Sequence, residues 1–212
     1  TDAFFVAFKI PNFLRRLFAE GSFSLAFVPV LAEYRERGDQ VEMNSLVDAT
    51  AGCLLAVLLA LTGLGMLAAP WVVSMFAPGF ADDPDQQALA AEMLRVTFPY
   101  LLFIALTALS GGILNTLGRF ALPALTPALL NVCLITAAVV FSQRFAEPVM
   151  ALAWGVLVAG VVQLAVQLPA LARHGLLPLP RPNFGHAGVR RIMKLMVPTL
   201  FGSSVAQINL LL

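Results

Sequence analysis

The chain has 212 residues, of which 59% are hydrophobic and 12% charged, and its formal net charge is +1. A soluble domain carries about twice that charged fraction, so the composition excludes an ordinary soluble domain and indicates an integral membrane protein. The net charge alone indicates no partner, because the distribution of charge matters more than its sum, and nothing in the sequence suggests a basic face for nucleic acid.

The N-terminal segment, residues 2–31, is apolar but contains charged residues in "KIPNFLRRLFAEG". At about 100° per residue, one helical face collects, within about 40°, the residues Asp2, Lys9, Arg16 and Glu20. Phe13 joins this stripe, whereas Arg15 points away from it. Ionisable side chains at membrane depth cost about 2.5–3.5 kcal/mol each, so we expect the stripe to line a hydrated cavity. A static, mutually neutralised charge cluster is the alternative.

Guanidinium groups bind phosphates and carboxylates through paired hydrogen bonds and remain charged at any relevant pH. The cavity is therefore predicted to hold an anionic ligand rather than a metal ion. Prolines interrupt this segment and several later ones, as in the broken helices of transporters; they are Pro11, Pro29, Pro99, Pro123, Pro127 and Pro198.

Five further apolar runs approach the roughly 20 residues that a spanning helix needs. They cover residues 49–81, 96–118, 120–143, 148–172 and 195–212. Pro70 and "APGF" at 77–80 are expected to end the first helix and to leave an interfacial tail. With the charged segment, the sequence predicts six hairpin-connected helices and no sheet.

Basic residues set the predicted orientation. One side of the membrane collects Arg35, Arg37, Arg119, Arg173, Arg181, Arg190, Arg191 and Lys194. The opposite connections hold Arg144 and, in the first turns of a helix, Arg95. The basic side is therefore predicted to be cytoplasmic, and the loop with Asp82, Asp83 and Asp85 faces outward.

We divide the chain into helices of an N-terminal lobe (1–173), a cytoplasmic connection (174–194) and the start of a further spanning helix (195–212). "GLLPLPRPNF" is expected to be extended, and "GHAGVRRIMKLM" to form an amphipathic helix on the inner membrane surface. Either a positive-inside anchor or specific headgroup binding accounts for its basic residues.

The residues show no catalytic or metal-binding constellation. Cys53 and Cys133 lie alone in apolar runs and are interpreted as packing residues; His174 and His186 lie in a polar connection. We therefore predict no enzymatic activity, no metal site and no cofactor.

The segment "TDAFFVAFKIPNFLRRLFAEGSFSLAFVPVLAEY" closely resembles the second transmembrane helix of the bacterial lipid II flippases, the MurJ (MviN) family. Later stretches are also similar, among them "FPYLLFIAL", "GGILNTLGRFALPALTPALLN" and "LPRPNF". The resemblance covers essentially the whole chain and implies helices two to seven of about fourteen, as an N-terminal lobe fragment of a MATE-like helical bundle.

This resemblance implies transport of lipid II across the bacterial plasma (inner) membrane by alternating access, for peptidoglycan synthesis in cell-wall biogenesis. It also implies that Asp2, Arg15, Arg16 and Glu20 match charged positions tied to function in the family. We hypothesise that Arg16, helped by Arg15 and Lys9, attracts the substrate, and that Asp2 and Glu20 balance charge or gate the cavity. Membrane lipids are the other partners, and a sodium ion or the membrane potential would act through the other lobe.

Two alternatives stay open. One is a flippase for another polyprenyl-diphosphate-linked oligosaccharide, since the same cations suit any diphosphate. The other is a scaffold in cell-wall assembly that transports nothing, for which the cavity charges would be dispensable.

Overall fold

The computed structural model describes residues 2–15, 23–76 and 83–198. Within these ranges the chain contains no β-strand, in agreement with the predicted all-α class. The helices are α1 (Asp2–Arg15), α2 (Phe23–Glu36), α3 (Gln40–Leu67), α4 (Ala69–Phe76), α5 (Pro84–Thr97), α6 (Tyr100–Thr116), α7 (Ala121–Thr136) and α8 (Met150–Arg173). Residues 187–198 form one more helix, α9.

Four helical stretches of the described ranges are long and apolar enough to cross a membrane. They are Gln40–Leu67, Pro84–Thr116, Ala121–Arg144 and Met150–Arg173. The second stretch joins α5 and α6 through a turn at residues 98–99, so the predicted interruption at Pro99 is confirmed. The third continues α7 through a π-helical and a 3₁₀ turn. The chain is therefore a multi-pass membrane protein.

The charged N-terminal segment contributes α1 and α2. Helix α1 continues through Pro11 and α2 through Pro29, so neither proline ends a helix as the predicted interruptions would require. Residues 16–22 lie between the two helices and outside the described ranges. Helix α2 continues past the predicted end at residue 31 to Glu36, so the cationic connection before α3 is shorter than expected.

The predicted start of the next helix at residue 49 is wrong, because α3 begins at Gln40. The Asp39 carboxylate caps it by accepting hydrogen bonds from the backbone N–H groups of Val41 (2.9 Å) and Glu42 (3.0 Å). Asp48 lies inside the helix, and its carboxylate accepts from the Leu179 N–H at 2.8 Å. The predicted span was an uncharged run and therefore began only after Asp48. The hydrogen bond from the Leu179 N–H compensates the Asp48 carboxylate, so this charge can lie within the helix.

Helix α3 ends at Leu67, close to the predicted stop at Pro70, and the tail that follows is the short helix α4. The "APGF" motif lies outside the described residues. The predicted uncharged run from residue 96 to 118 contains α6, and the helix before the turn at 98–99, α5, begins at Pro84. Asp83 caps α5 through the Gln86 N–H at 3.1 Å.

Arg95 lies in the last turn of α5 and not, as predicted, in the first turns of a helix. Its Nε donates to the Met66 carbonyl oxygen at 3.3 Å, near the C-terminal end of α3. The last carbonyls of a helix have no intrahelical partner and favour a cation. A charge can therefore lie inside a helical stretch that continues into a membrane span.

The basic connections meet at one end of the bundle. The Arg35 guanidinium donates to the Thr116 carbonyl and so joins the C-terminal ends of α2 and α6. Arg191 in α9 pairs with Glu33 of α2. The prediction that these connections share a side is confirmed, while its cytoplasmic assignment stays a prediction.

The connection between α8 and α9 has no helix or strand over residues 176–183. It lies against α3, where the Arg181 N–H donates to the Asp48 carbonyl oxygen at 3.1 Å. Helix α9 then continues without a break through residue 194, the predicted boundary between the connection and the next spanning helix.

The apolar interior forms two main clusters. One lies among α2, α3, α6 and the segment after α8, and the other among α1, α4, α5 and the start of α8. Small residues of α6 permit a close approach between helices. A Cβ on Gly112 of α6 would lie 3.1 Å from the Phe27 ring of α2, so these helices meet where glycine provides the space.

Candidate functional site: a cationic helix and a polar cavity

Helix α1 packs on the bundle through the face opposite Lys9. Ala7 and Pro11 are buried, and the Thr97 hydroxyl of α5 donates to the Ala7 carbonyl oxygen at 3.3 Å. At 100° per residue, positions 7 and 11 each lie about 160° from position 9 on the helix. Lys9 is exposed and Phe13 half-buried. The described part of the predicted charged stripe therefore faces away from the helices that α1 contacts.

The remaining members of the predicted site are not placed by the structure. Arg16 and Glu20 lie outside the described residues. Asp2 and Arg15 lie in α1, but their side chains are outside the described set. The proposed joint action of these residues stays a prediction.

A polar cavity of about 430 Å³ lies among α2, α6, α7 and α8. Its polar lining residues are Ser24, Thr107, Asn115, Thr126, Asn131, Gln163 and Gln167, and the glycines Gly111 and Gly112 form part of its wall. Neither Lys9 nor Phe13 is among the lining residues. The structure thus adds a polar site that differs from the predicted cationic one.

Two glutamines of α8 define the interior of this cavity. Gln163 is 2% exposed and Gln167 1% exposed. The Gln163 amide Nε2 donates to the Thr126 carbonyl oxygen at 2.8 Å, and Gln167 Nε2 donates to the Thr126 hydroxyl oxygen at 3.2 Å. Among the described residues, neither glutamine Oε1 has a hydrogen-bond partner.

Sequence reasoning missed these glutamines because it searched for ionisable groups. A signal was present, since residues 163 and 167 stand four apart and hence on one helical face. They also interrupt an otherwise apolar predicted span. Buried amides at membrane depth require partners, and two on one face indicate either a helix–helix contact or a polar cavity. Here they form both.

The fold and cavity define a multi-pass α-helical membrane protein with a polar cavity inside its bundle. Comparison with known proteins makes this specific. The family model described as "Lipid II flippase MurJ" matches residues 1–212, and the chain belongs to this family.

Curated relatives agree with this assignment. The chain is 47% identical over 216 residues to the lipid II flippase MurJ of Burkholderia cenocepacia, covering 100% of this chain and 42% of that protein. It is 46% identical over 217 residues to the probable lipid II flippase MurJ of Vibrio cholerae, covering 99% of this chain and 41% of that protein.

A solved structure described as lipid II flippase MurJ in an inward closed conformation has the same fold over this region. The TM-score is 0.80 at 27% sequence identity, over 99% of this chain and 42% of that one. The chain thus spans less than half the length of the relatives that it matches.

Proposed function

We propose that this protein moves lipid II from the inner to the outer leaflet of the bacterial plasma membrane by alternating access. The observation that carries this proposal is the family match over all 212 residues, together with relatives named as lipid II flippases. The helical bundle of the described residues supplies the multi-pass scaffold that such a transporter needs.

The cationic face of the N-terminal segment attracts the headgroup in this proposal. Arg16, assisted by Arg15 and Lys9, binds the diphosphate and the peptide carboxylates, because guanidinium and ammonium groups pair strongly with such oxygens. Asp2 and Glu20 balance these cations when the cavity is empty and stabilise the closed gate on the outer side. The lipid tail stays in the bilayer while the headgroup crosses.

The exposure of Lys9 supports this arrangement. Because α1 packs through Ala7 and Pro11, the Lys9 side remains open to a second helical lobe or to a hydrated cavity. A MATE-like arrangement of two lobes would place this side at the cavity between them. Coupling would then come from a sodium ion or from the membrane potential, which acts on moving charge with about 2.3 kcal/mol per charge per 100 mV.

Replacement of Arg16 tests the proposal. In the full-length protein, Arg16→Ala should abolish rescue of cells depleted of the wild-type protein, while membrane insertion stays normal. The matched control is Arg119→Ala, which removes an exposed arginine from the connection between α6 and α7 and should rescue normally. Full rescue by Arg16→Ala would contradict the transport mechanism and favour a scaffold without transport activity.

A further inference from the structure

The cavity among α2, α6, α7 and α8 is lined by neutral groups, in contrast to the cationic stripe of α1. Its polar interior consists of the amides of Gln163 and Gln167 and the hydroxyl and carbonyl groups of Thr126. Asn131 and Asn115 lie toward its exposed edge. None of its lining residues is charged. A ligand of this cavity would therefore be recognised through hydrogen bonds.

Thr126 is the hydrogen-bond partner of both glutamine amides. Its backbone carbonyl only accepts hydrogen bonds, so the Gln163 atom 2.8 Å away must be the Nε2 donor. Its hydroxyl oxygen accepts from Gln167 Nε2 at 3.2 Å, and its hydroxyl proton is directed to the Leu122 carbonyl oxygen at 3.5 Å. Both Oε1 atoms are thereby left as acceptors.

These two acceptors are the unusual feature of the cavity. Both glutamines are more than nine-tenths buried, and neither Oε1 has a partner among the described residues. An unpaired buried acceptor is unfavourable, and the cost disappears when a ligand supplies a donor. Because both Oε1 atoms are themselves buried, a small rotation of the side chains must bring them to the cavity surface, where a ligand with O–H or N–H groups would satisfy them.

The charge and size of a ligand further limit which chemical class fits this cavity. A cation would enter without a carboxylate to compensate it, which is unfavourable in a low-dielectric interior. A neutral polyhydroxyl or amide group brings donors without that cost. The cavity volume of about 430 Å³ lies within the range of small-molecule sites, roughly 300–1,000 Å³.

We propose that this cavity is a subsite for the neutral part of the transported headgroup, where the Oε1 atoms of Gln163 and Gln167 accept hydrogen bonds from sugar hydroxyl or amide N–H groups. The inference rests on the proposed function, which supplies a substrate with a sugar–peptide headgroup. It separates two tasks: the cations of the N-terminal segment hold the diphosphate, and the glutamines of α8 hold the uncharged portion.

The test measures the binding of two ligands to the full-length protein in lipid nanodiscs. One is the lipid-free disaccharide-pentapeptide without phosphate, and the other is inorganic pyrophosphate. Gln163→Met and Gln167→Met keep the side-chain length but remove the acceptors. Each should weaken disaccharide-pentapeptide binding about three- to tenfold, since a hydrogen bond contributes modestly to affinity. Pyrophosphate binding should not change.

A further variant tests the cavity independently, in case the glutamine substitutions disturb folding. A Cβ on Gly111 would meet Pro123 Cβ at 3.5 Å and Gln167 Oε1 at 3.7 Å, which are ordinary contacts. Gly111→Ala should therefore fold normally, reduce the space beside Gln167 Oε1 and weaken disaccharide-pentapeptide binding. Gln143→Met, at an exposed position after α7, is the matched control and should bind as the wild type does.

The possible outcomes separate the two proposals. If all three cavity variants bind the disaccharide-pentapeptide as tightly as the wild type, while Arg16→Ala still loses pyrophosphate, the cavity holds only water and the subsite is refuted. If Arg16→Ala leaves both pyrophosphate binding and cell rescue intact while the cavity variants lose the disaccharide-pentapeptide, the proposed transport mechanism fails and the subsite stands.

Discussion

Arg191 and Glu33 form a two-pronged ion pair between α9 and α2. Arg191 Nη1 lies 2.5 Å from Glu33 Oε2, and Arg191 Nη2 lies 2.7 Å from Glu33 Oε1. The guanidinium plane thus matches the carboxylate, a geometry that fixes orientation as well as distance. The pair connects α9 with α2, beside the buried contacts that Val189 and Ile192 of α9 make in the apolar cluster.

Because both side chains are about half exposed, at 52% and 40%, this pair should contribute little to stability. We expect Arg191→Ala to lower the free energy of unfolding by less than about 1 kcal/mol. Arg191→Lys should leave stability unchanged but lose the paired geometry. Thermal unfolding in detergent measures the first effect, and spin-label distances between α9 and α2 measure the second. A large loss of stability in Arg191→Ala would contradict this interpretation.

Asp48 provides a second anchor for the same connection. Its carboxylate accepts from the Leu179 N–H, and its backbone carbonyl accepts from the Arg181 N–H. Asp48→Ala should therefore release the Leu179 N–H but keep the Arg181 bond. Hydrogen exchange is expected to accelerate at Leu179 and to stay slow at Arg181. Asp48→Asn retains a side-chain acceptor and serves as the control; equal exchange in Asp48→Ala and wild type would refute the anchor.

The sequence predicted the helical class and the common side of the basic connections because both depend on coarse patterns. In a membrane, a long uncharged run must satisfy its backbone hydrogen bonds within a helix. Pro99 has no backbone N–H and so cannot form one of these bonds. The start of α3 and the position of Arg95 at the end of its helix were missed for a specific reason. Asp48 and Arg95 are compensated by backbone groups from distant parts of the chain, and a single sequence does not show these pairings.

Of the candidate site, too, one part could be predicted from the sequence and another could not. Charges in an apolar segment indicated a cationic face, and the exposure of Lys9 agrees with that expectation without testing the rest of the stripe. The neutral cavity depends on Thr126 of α7 meeting Gln163 and Gln167 of α8. That meeting follows from how two helices pack, so helical periodicity could indicate the glutamines but not their partner.

Position 52 of α3 has room only for glycine, because the connection between α8 and α9 passes directly against it. A Cβ at this position would overlap the backbone at Arg181 and Pro182, whereas a Cβ on Gly63 of the same helix meets nothing within 4 Å. Gly52→Ala should therefore lower the free energy of unfolding by about 1–3 kcal/mol, since backbone atoms cannot move aside easily. Thermal unfolding in detergent measures the loss.

Gly63→Ala is the matched control in α3. It removes a flexible residue from a helix interior and should be neutral or stabilising by up to about 1 kcal/mol. If Gly52→Ala were as stable as Gly63→Ala, the close contact between α3 and the connection would not exist in the membrane.

Water access along α1 gives the most direct test of the cationic face. Cys53 and Cys133 are first replaced by serine in the full-length protein, and single cysteines are then introduced at positions 7, 9, 13 and 16. A water-soluble thiol reagent requires the thiolate, which forms only where water reaches. Cysteines at 9, 13 and 16 should react, whereas a cysteine at the buried position of Ala7 should not.

The control for this experiment is a cysteine at Ile135. This residue is 63% exposed on α7, a helix with no buried residue over its length, and its apolar side chain is suited to lipid. Exposure to lipid should not permit labelling, because a thiolate is not stable in hydrocarbon. If position 9 stays as unreactive as Ile135, its exposed face contacts lipid rather than water, and a hydrated cavity for an anionic headgroup cannot lie there.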